Sequence, residues 1–322
     1  MRIVSLFSGA GGLDLGLKQG GHRIVWANDF DADAVKTYRR NIDTNIVFAN
    51  INEIDFDGIP SADVVVGGFP CQGFSMANLN RGIDDERNQL YKAFCKAITI
   101  VQPRFFVAEN VKGILSLDGG SIIKRIVNDF QNVGYLVSVN KLNMADYGVP
   151  QTRQRVVILG QRIDIADSMV LSLPVQTHSK KGSPAPWISI REAIDRFPDP
   201  DEPNDVLNHV CSSYKVEYRN FTGHRQTDPD KPSPTVLARG NGKGGVCAIP
   251  HYNGKRRLTI RESAAVQTFP DDFEFFGKLG SCYRQIGNAV PVAFGRLMGE
   301  ELNRADSLLS FKESYDAGNI AI

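Results

Sequence analysis

The stretch RIVSLFSGAGGLDLGLK, Arg2 to Lys18, decides the fold. A β-branched run from Arg2 to Phe7 enters the turn Ser8-Gly9-Ala10-Gly11-Gly12, and a helical pattern starts at Leu13. Strand, glycine turn and helix in this order open an α/β sheet whose ligands lie beyond the carboxyl ends of the strands. The alternation continues outward. Arg23 to Ala27 reads as a strand, and Asp31 to Asn41 as a helix with an acidic first turn. Strands at Ala62 to Val66 and Arg104 to Ala108 bracket a helix at Leu90 to Val101. A helix at Ser121 to Asn132 precedes strands near Leu136 to Lys141 and Val156 to Leu159. Such spacing predicts a parallel α/β sheet with helices on both faces.

From about Pro174 to Asn253 the pattern dissolves into Pro, Gly, Ser and Asn, which reads as a smaller irregular domain. Arg261 to Gln267 and Val292 to Leu302 look helical again, so the chain is expected to return to its first domain. The expected division is 1–180, 181–280 and 281–322. A length of 322 residues, 42% hydrophobic and 23% charged, is ordinary globular composition and excludes a disordered chain. No run approaches the ~18 apolar residues of a membrane span, and the N-terminus lacks a signal-peptide layout. Five cysteines without a C-x-x-C pair disfavour a disulfide scaffold or thiolate zinc site and point to a reducing cytoplasm. The five histidines lack ligand spacing, so no metal is expected. A net charge of +1 hides an asymmetry: Val206 to Arg261 holds ten Lys/Arg against three Asp/Glu. That segment suits a polyanion, or is simply a solvated face.

Parallel strands would bring four groups to one crevice: the glycine turn, Asp29, Cys71 after Gly67-Gly68-Phe69-Pro70, and Glu109-Asn110. Asp29 follows Gly9 by 20 residues, a spacing that suits a carboxylate on ribose hydroxyls. Asp14 stands where a dinucleotide fingerprint needs its third glycine, and no P-loop lysine follows. A nucleoside cofactor without phosphates fits better. The bland alternatives are tight packing for the glycines and helix capping for Asp29. Cys71 is set apart by its place at a strand end, although a free thiol is only a few per cent thiolate at neutral pH. The other cysteines read as small buried hydrophobes. Glu109, at the edge of a core, suits a proton donor or a glutamate satisfied by backbone amides.

These residues, in this order, closely resemble the cytosine-5 DNA methyltransferases of bacterial restriction–modification systems. Phe7 to Gly12 is similar to the family's first cofactor motif, Gly67 to Ser75 to its nucleophile motif, and Glu109 to Val111 to the motif of the acid. Gln151-Thr-Arg-Gln-Arg155 resembles the basic strand motif, Arg261-Glu262 with Gln267 to Pro270 the ninth, and Gln285 to Pro291 the tenth. The resemblance implies a Rossmann-like methyltransferase sheet with a target-recognition domain. It implies S-adenosylmethionine as methyl donor, S-adenosylhomocysteine as product, and no metal. Phe7 would stack on adenine, and Gly9 and Gly11 would give backbone access within a turn completed by Ala10 and Gly12. Asp29 would hold the ribose and Phe30 cover the base. Asn50-Ile51 would meet the adenine amino group, Pro70 and Leu90 line the pocket, and Asn288, Ala289 and Val290 close it.

The same resemblance makes Cys71 the nucleophile on carbon 6 of a cytosine rotated out of the duplex, and Glu109 the group bonding its ring nitrogen and amine. Arg153 and Arg155 complete the expected catalytic set, Arg155 on the carbonyl oxygen. Ser75 and Arg87, in a polar segment read as a mobile lid, would touch double-stranded DNA together with Arg225, Arg239, Lys243, Arg256 and Arg257; Asn241 is a further candidate. A cytoplasmic bacterial monomer, with a separate cognate endonuclease possible, completes the expectation. Rival readings are a tRNA methyltransferase of the same architecture, a non-catalytic DNA-binding module and a nicotinamide-dependent oxidoreductase.

Overall fold

A computed structural model describes residues 1–70, 90–165, 168–213, 216, 226–238 and 249–319, the last eight by backbone alone. A seven-stranded sheet has the order β3-β2-β1-β4-β5-β7-β6. Its strands are β1 (Arg2–Leu6), β2 (Arg23–Asp29), β3 (Ile46–Phe48), β4 (Val64–Gly67), β5 (Phe105–Val111), β6 (Tyr135–Asn143) and β7 (Gln154–Arg162). The helices are α1 (Gly12–Gln19), α2 (Ala32–Asn41), α3 (Leu90–Val101), α4 (Ser121–Asn132), α5 (Ile190–Ile194), α6 (Ile260–Val266), α7 (Leu279–Asn288) and α8 (Val292–Asn319).

Alternation along the strands divides the core in two. Ile3, Val64, Val66, Phe105 and Val107 face one apolar cluster, with Leu17 of α1, Tyr38 of α2 and Phe294 of α8. Val4, Val65 and Phe106 face the other, with Phe94 of α3 and Phe130 of α4. The rings of Phe94, Phe106, Phe130 and Tyr135 meet at centroid distances of 4.9 to 5.8 Å. Burying each such ring contributes roughly 1.5–3 kcal/mol. Asp31 starts α2 by accepting from the Asp33 and Ala34 amides, as its acidic first turn predicts.

The structure differs from the expected fold in several features. The short edge strand β3 is additional to the strands read from the sequence, and α5 and α7 are additional to the helices. The sheet is not wholly parallel either: β7 runs antiparallel to both β5 and β6. The ten residues between Asn143 and Gln154 contain one short 3-10 turn and no crossover helix, so the chain doubles back.

The irregular stretch is held by caps and bridges. Ser189 and Glu192 form a capping box on α5, and Thr259 and Glu262 form one on α6. Val236, Ile249, Leu258, Phe269 and Ile286 belong to the same apolar cluster as β1 and β2. Helices α1 and α8 approach to backbone distance, since a Cβ on Gly16 would lie 2.3 Å from the Val292 carbonyl oxygen. His22 ties the next loop to α8 by a 2.8 Å bond to the Gly299 carbonyl.

Candidate active site

Register along the parallel strands sets the crevice. Leu6 pairs with Gly67 and Gly67 with Ala108, which brings the carboxyl ends of β1, β4 and β5 into line. The turn after β1 begins with Phe7 at φ 55°, a costly state for a bulky residue. The Gly9 amide donates to Asp29 Oδ2 at 2.8 Å, and the Asp31 amide donates to Oδ1 at 2.8 Å. Strand, turn and the next helix are thus joined through one carboxylate. Burial raises the Asp29 pKa, and the amides that bond it oppose the rise.

The glycines of the turn have different tasks. At Gly9 a Cβ would meet nothing within 4 Å, so the backbone there faces open space. At Gly11, with φ 85°, a Cβ would overlap Ile42 Cδ1 at 2.1 Å. On Gly12 it would lie 2.3 Å from the Val290 carbonyl oxygen. Gly11 and Gly12 thus turn their Cα faces into packed neighbours, and Ala10 is buried in the core. Around the opening, the Phe30 side chain is 69% exposed. Asn50 is exposed and its side chain accepts from the Asn52 amide at 3.1 Å, while Ile51 is buried. Pro70 and Leu90 are half-buried at the two ends of the stretch 71–89. Asn288 is exposed, and Ala289 and Val290 are buried beside the turn.

Glu109 and Arg155 form the second half of the site. Arg155 Nε stands 2.8 Å from Glu109 Oε1, with side-chain exposures of 11% and 12%. Its N–H does not point along that line, so Oε1 is paired by charge and lacks a directed hydrogen bond. The reversal of β7 creates this pair, because it sets Arg155 opposite Val111 at the carboxyl end of β5. On the other side, a Cβ on Gly68 would lie 3.2 Å from Glu109 Oε2, so the bare backbone leaves the carboxylate room. Asn110 Nδ2 donates to the Phe69 carbonyl at 2.8 Å and ties the end of β5 to the backbone that follows β4.

Other expected site residues lie elsewhere. Arg153 is not in the crevice: it is 1% exposed and its guanidinium bonds the carbonyls of Val236, Gly287 and Ala289. Its place as a catalytic group is corrected to that of an internal strut. Arg256 does not face a ligand surface, since it pairs with Glu262 through two 2.7 Å bonds. Arg257 is buried at 1% exposure. Both are withdrawn as DNA contacts. Cys71, Ser75, Arg87, Arg225, Arg239, Asn241 and Lys243 lie outside the described residues, as does the segment read as a lid.

A buried cluster under the glycine turn escaped sequence reasoning. Asp14 Oδ1 accepts from Ser5 Oγ at 2.8 Å and Oδ2 from the Tyr38 hydroxyl at 2.8 Å. Burial pushes the Asp14 carboxyl up to about 6, against the lowering effect of those bonds. The misplaced acid was visible in the sequence, but its tyrosine partner 24 residues away leaves no local signal. Among the described residues no group of three His, Cys, Asp or Glu could hold a metal ion. No described helix is long and apolar enough to cross a membrane.

The profile of the family described as C-5 cytosine-specific DNA methylase matches residues 1–184 and 173–304. The chain is 39% identical over 313 residues to the Type II methyltransferase M.NgoFVII of Neisseria gonorrhoeae, covering 90% of this chain and 83% of that protein. It is 34% identical over 325 residues to M.FnuDI of Fusobacterium nucleatum, covering 94% of each. The crystal structure of the S. pombe Dnmt2 methyltransferase shares the fold, with TM-score 0.68 and 21% identity over 94% of this chain and 99% of that one.

Proposed function

The chain belongs to the C-5 cytosine-specific DNA methylase family and is a DNA (cytosine-5-)-methyltransferase of the Type II kind, and we propose that it methylates a cytosine rotated out of a specific duplex site through a covalent bond to Cys71. The observation that carries the reading is the Glu109–Arg155 pair at the carboxyl end of β5, next to the end of β4, in the crevice rimmed by Gly9 and Asp29.

The methyl donor is S-adenosylmethionine, which supplies a sulfonium methyl as the electrophile. The site suits it: Gly9 leaves room for close backbone approach, the Asp29 carboxylate suits ribose hydroxyls, and Phe30 offers an uncovered ring. Gly11 and Gly12 set the shape of that turn, and Val290 backs it. Asn50 keeps a lone pair for the adenine amino group while it caps its own turn.

Cytosine carbon 5 is a weak nucleophile. Addition of the Cys71 thiolate to carbon 6 forms the S–C6 bond and moves the ring π-electrons toward carbon 5. Glu109 bonds the ring nitrogen and exocyclic amine, stabilising charge as it grows. Arg155 donates to the carbonyl oxygen and orients the ring. Carbon 5 then takes the methyl and gives its proton to a solvent-derived base, and the S–C6 bond breaks to return the thiolate. Opening the duplex costs a few kcal/mol, which contacts outside the crevice must offset. Residues 181–280 make up the target-recognition part in this reading, with Arg225, Arg239 and Lys243 on DNA and Ser75 and Arg87 beside the extruded base. The protein acts as a monomer in the bacterial cytoplasm, protecting DNA from a separate endonuclease.

Transfer of tritium from labelled S-adenosylmethionine to duplex DNA, to tRNA or to neither tests this. Label in duplex DNA, lost in Cys71→Ser, is expected. Robust turnover by that variant overturns covalent catalysis, and label in tRNA alone overturns the DNA substrate.

A further inference from the structure

Arg153 stands where three parts of the chain meet. It lies one residue before β7, fully buried. Nη1 donates to the Val236 carbonyl at 3.0 Å, and Nη2 to the carbonyls of Gly287 at 2.8 Å and Ala289 at 3.1 Å. None of these bonds ends on a carboxylate, and among the described residues Nε has no hydrogen-bond partner. Burial lowers its pKa to about 9. Burying a guanidinium away from any carboxylate is costly, and the three carbonyl bonds offset that cost. What the planar fork adds is a fixed-angle link between separate segments.

Those segments serve different ligands in the function proposed above. Val236 lies within 181–280, the part assigned to target recognition, whereas Gly287 and Ala289 begin the stretch that closes the cofactor pocket. Backbone contact continues the link on both sides. A Cβ on Gly287 would lie 2.4 Å from the Ala238 nitrogen, and one on Gly12 would lie 2.3 Å from the Val290 carbonyl oxygen. A second path runs alongside. The Val236 amide donates to Gln151 Oε1 at 2.9 Å, Gln151 Nε2 donates to Gln267 Oε1 at 2.9 Å, and Gln267 Nε2 donates to the Ala289 carbonyl at 3.1 Å. From Val236 to the glycine turn the chain of contacts has no gap.

We infer that Arg153 is a positioning residue that couples DNA recognition to cofactor binding, by holding Val236 and the Gly287–Ala289 backbone in one register. The inference rests on the proposed function. Linkage makes the coupling reciprocal: DNA tightens the cofactor by the factor with which the cofactor tightens DNA.

The test is calorimetric. S-adenosylhomocysteine is titrated into the full-length protein, alone and saturated with a duplex carrying the site mapped by sequencing converted DNA from expressing cells. DNA is expected to tighten the wild-type protein's affinity by about tenfold, within the usual range for coupled sites. Arg153→Lys keeps a cation but loses the fork. It is expected to reduce the tightening, read as the ratio of the two S-adenosylhomocysteine affinities with and without DNA, below about twofold. Absence of tightening in the wild-type protein, or its full retention in Arg153→Lys, overturns the inference. Hydrogen exchange on the wild-type protein provides a measurement independent of the variant's stability. S-adenosylhomocysteine without DNA should slow exchange of the Val236 amide, and an unchanged rate there also overturns it. Tritium transfer measured beside these separates the two readings. Transfer without coupling removes the strut alone, whereas absence of both transfer and S-adenosylhomocysteine binding removes the function and the strut with it.

Discussion

Replacing Asp14 with asparagine should make the protein more stable at neutral pH, by an amount that grows with pH. The wild-type carboxyl is completely buried beneath the glycine turn, and its pKa is raised from 3.8 to about 6. Because the folded value exceeds the unfolded one, the folded state favours the protonated acid. Asp14 therefore costs nothing below the unfolded pKa, and its penalty builds until pH passes the folded pKa. At 1.36 kcal/mol per unit the full penalty is about 3 kcal/mol, of which about 2 kcal/mol falls between roughly pH 4.5 and pH 8. Asparagine carries no such penalty. The Ser5 and Tyr38 hydroxyls, each 2.8 Å from the carboxylate, can rotate to accept from an amide or donate to its oxygen. Urea unfolding of both proteins across that range gives the difference directly, with all other titrating groups cancelling. The advantage of Asp14→Asn over the wild type should widen by about 2 kcal/mol from acid to neutral pH. A difference that is flat, or that narrows as pH rises, refutes the argument that burial dominates this acid.

Glu109→Gln should lower single-turnover methyl transfer by about 10²- to 10⁴-fold, and a rate within tenfold of wild type would remove Glu109 from the chemistry. Asp29→Ala leaves the Gly9 and Asp31 amides without their acceptor. It should cost about 1–3 kcal/mol of stability and weaken S-adenosylhomocysteine by about 10- to 100-fold; unchanged affinity in calorimetry counts against the ribose assignment. Arg256→Met strands Glu262 in the interior, so chemical denaturation should show a loss of about 3 kcal/mol. The salt slope of DNA binding should not change in that variant, and a slope shallower by about one would return Arg256 to the phosphates.

The sequence carried the strands and helices of the first half because their apolar residues alternate or recur with clean period. Ser121–Asn132 matches the expected helix residue for residue, and α3 is helical from its first described residue, Leu90, to the expected end at Val101. Strand direction carries no such mark. The antiparallel β7 departs from the parallel sheet expected, and its one sequence signal is the ten-residue connection before Gln154, too short for a parallel crossover. The family motifs single out residues, yet not what each one touches. Arg153 and Arg155 are two residues apart on the same motif, but one ends among carbonyls and the other beside Glu109. Arg256 and Arg257 contributed to the basic count that suggested a polyanion surface, and Arg256 is neutralised by Glu262 in the interior. Charge can be counted in a sequence, whereas its partner 6 residues later depends on how the chain turns. The Asp14–Tyr38 contact and the packing tasks of Gly11 and Gly12 are tertiary in the same sense.

The closure of the first turn by Val290, and the seating of α8 on α1, set the order of events during synthesis. Gly16 leaves the ribosome hundreds of residues ahead of the Val292 carbonyl it will touch. A growing chain can pair β1 with β2 and β4 early, but its glycine turn stays uncovered until the tail emerges. Methylation competence should therefore arrive abruptly, once α8 has emerged, and not build up with length. Two fragments cut within the irregular region should each be inert and recover activity only when mixed.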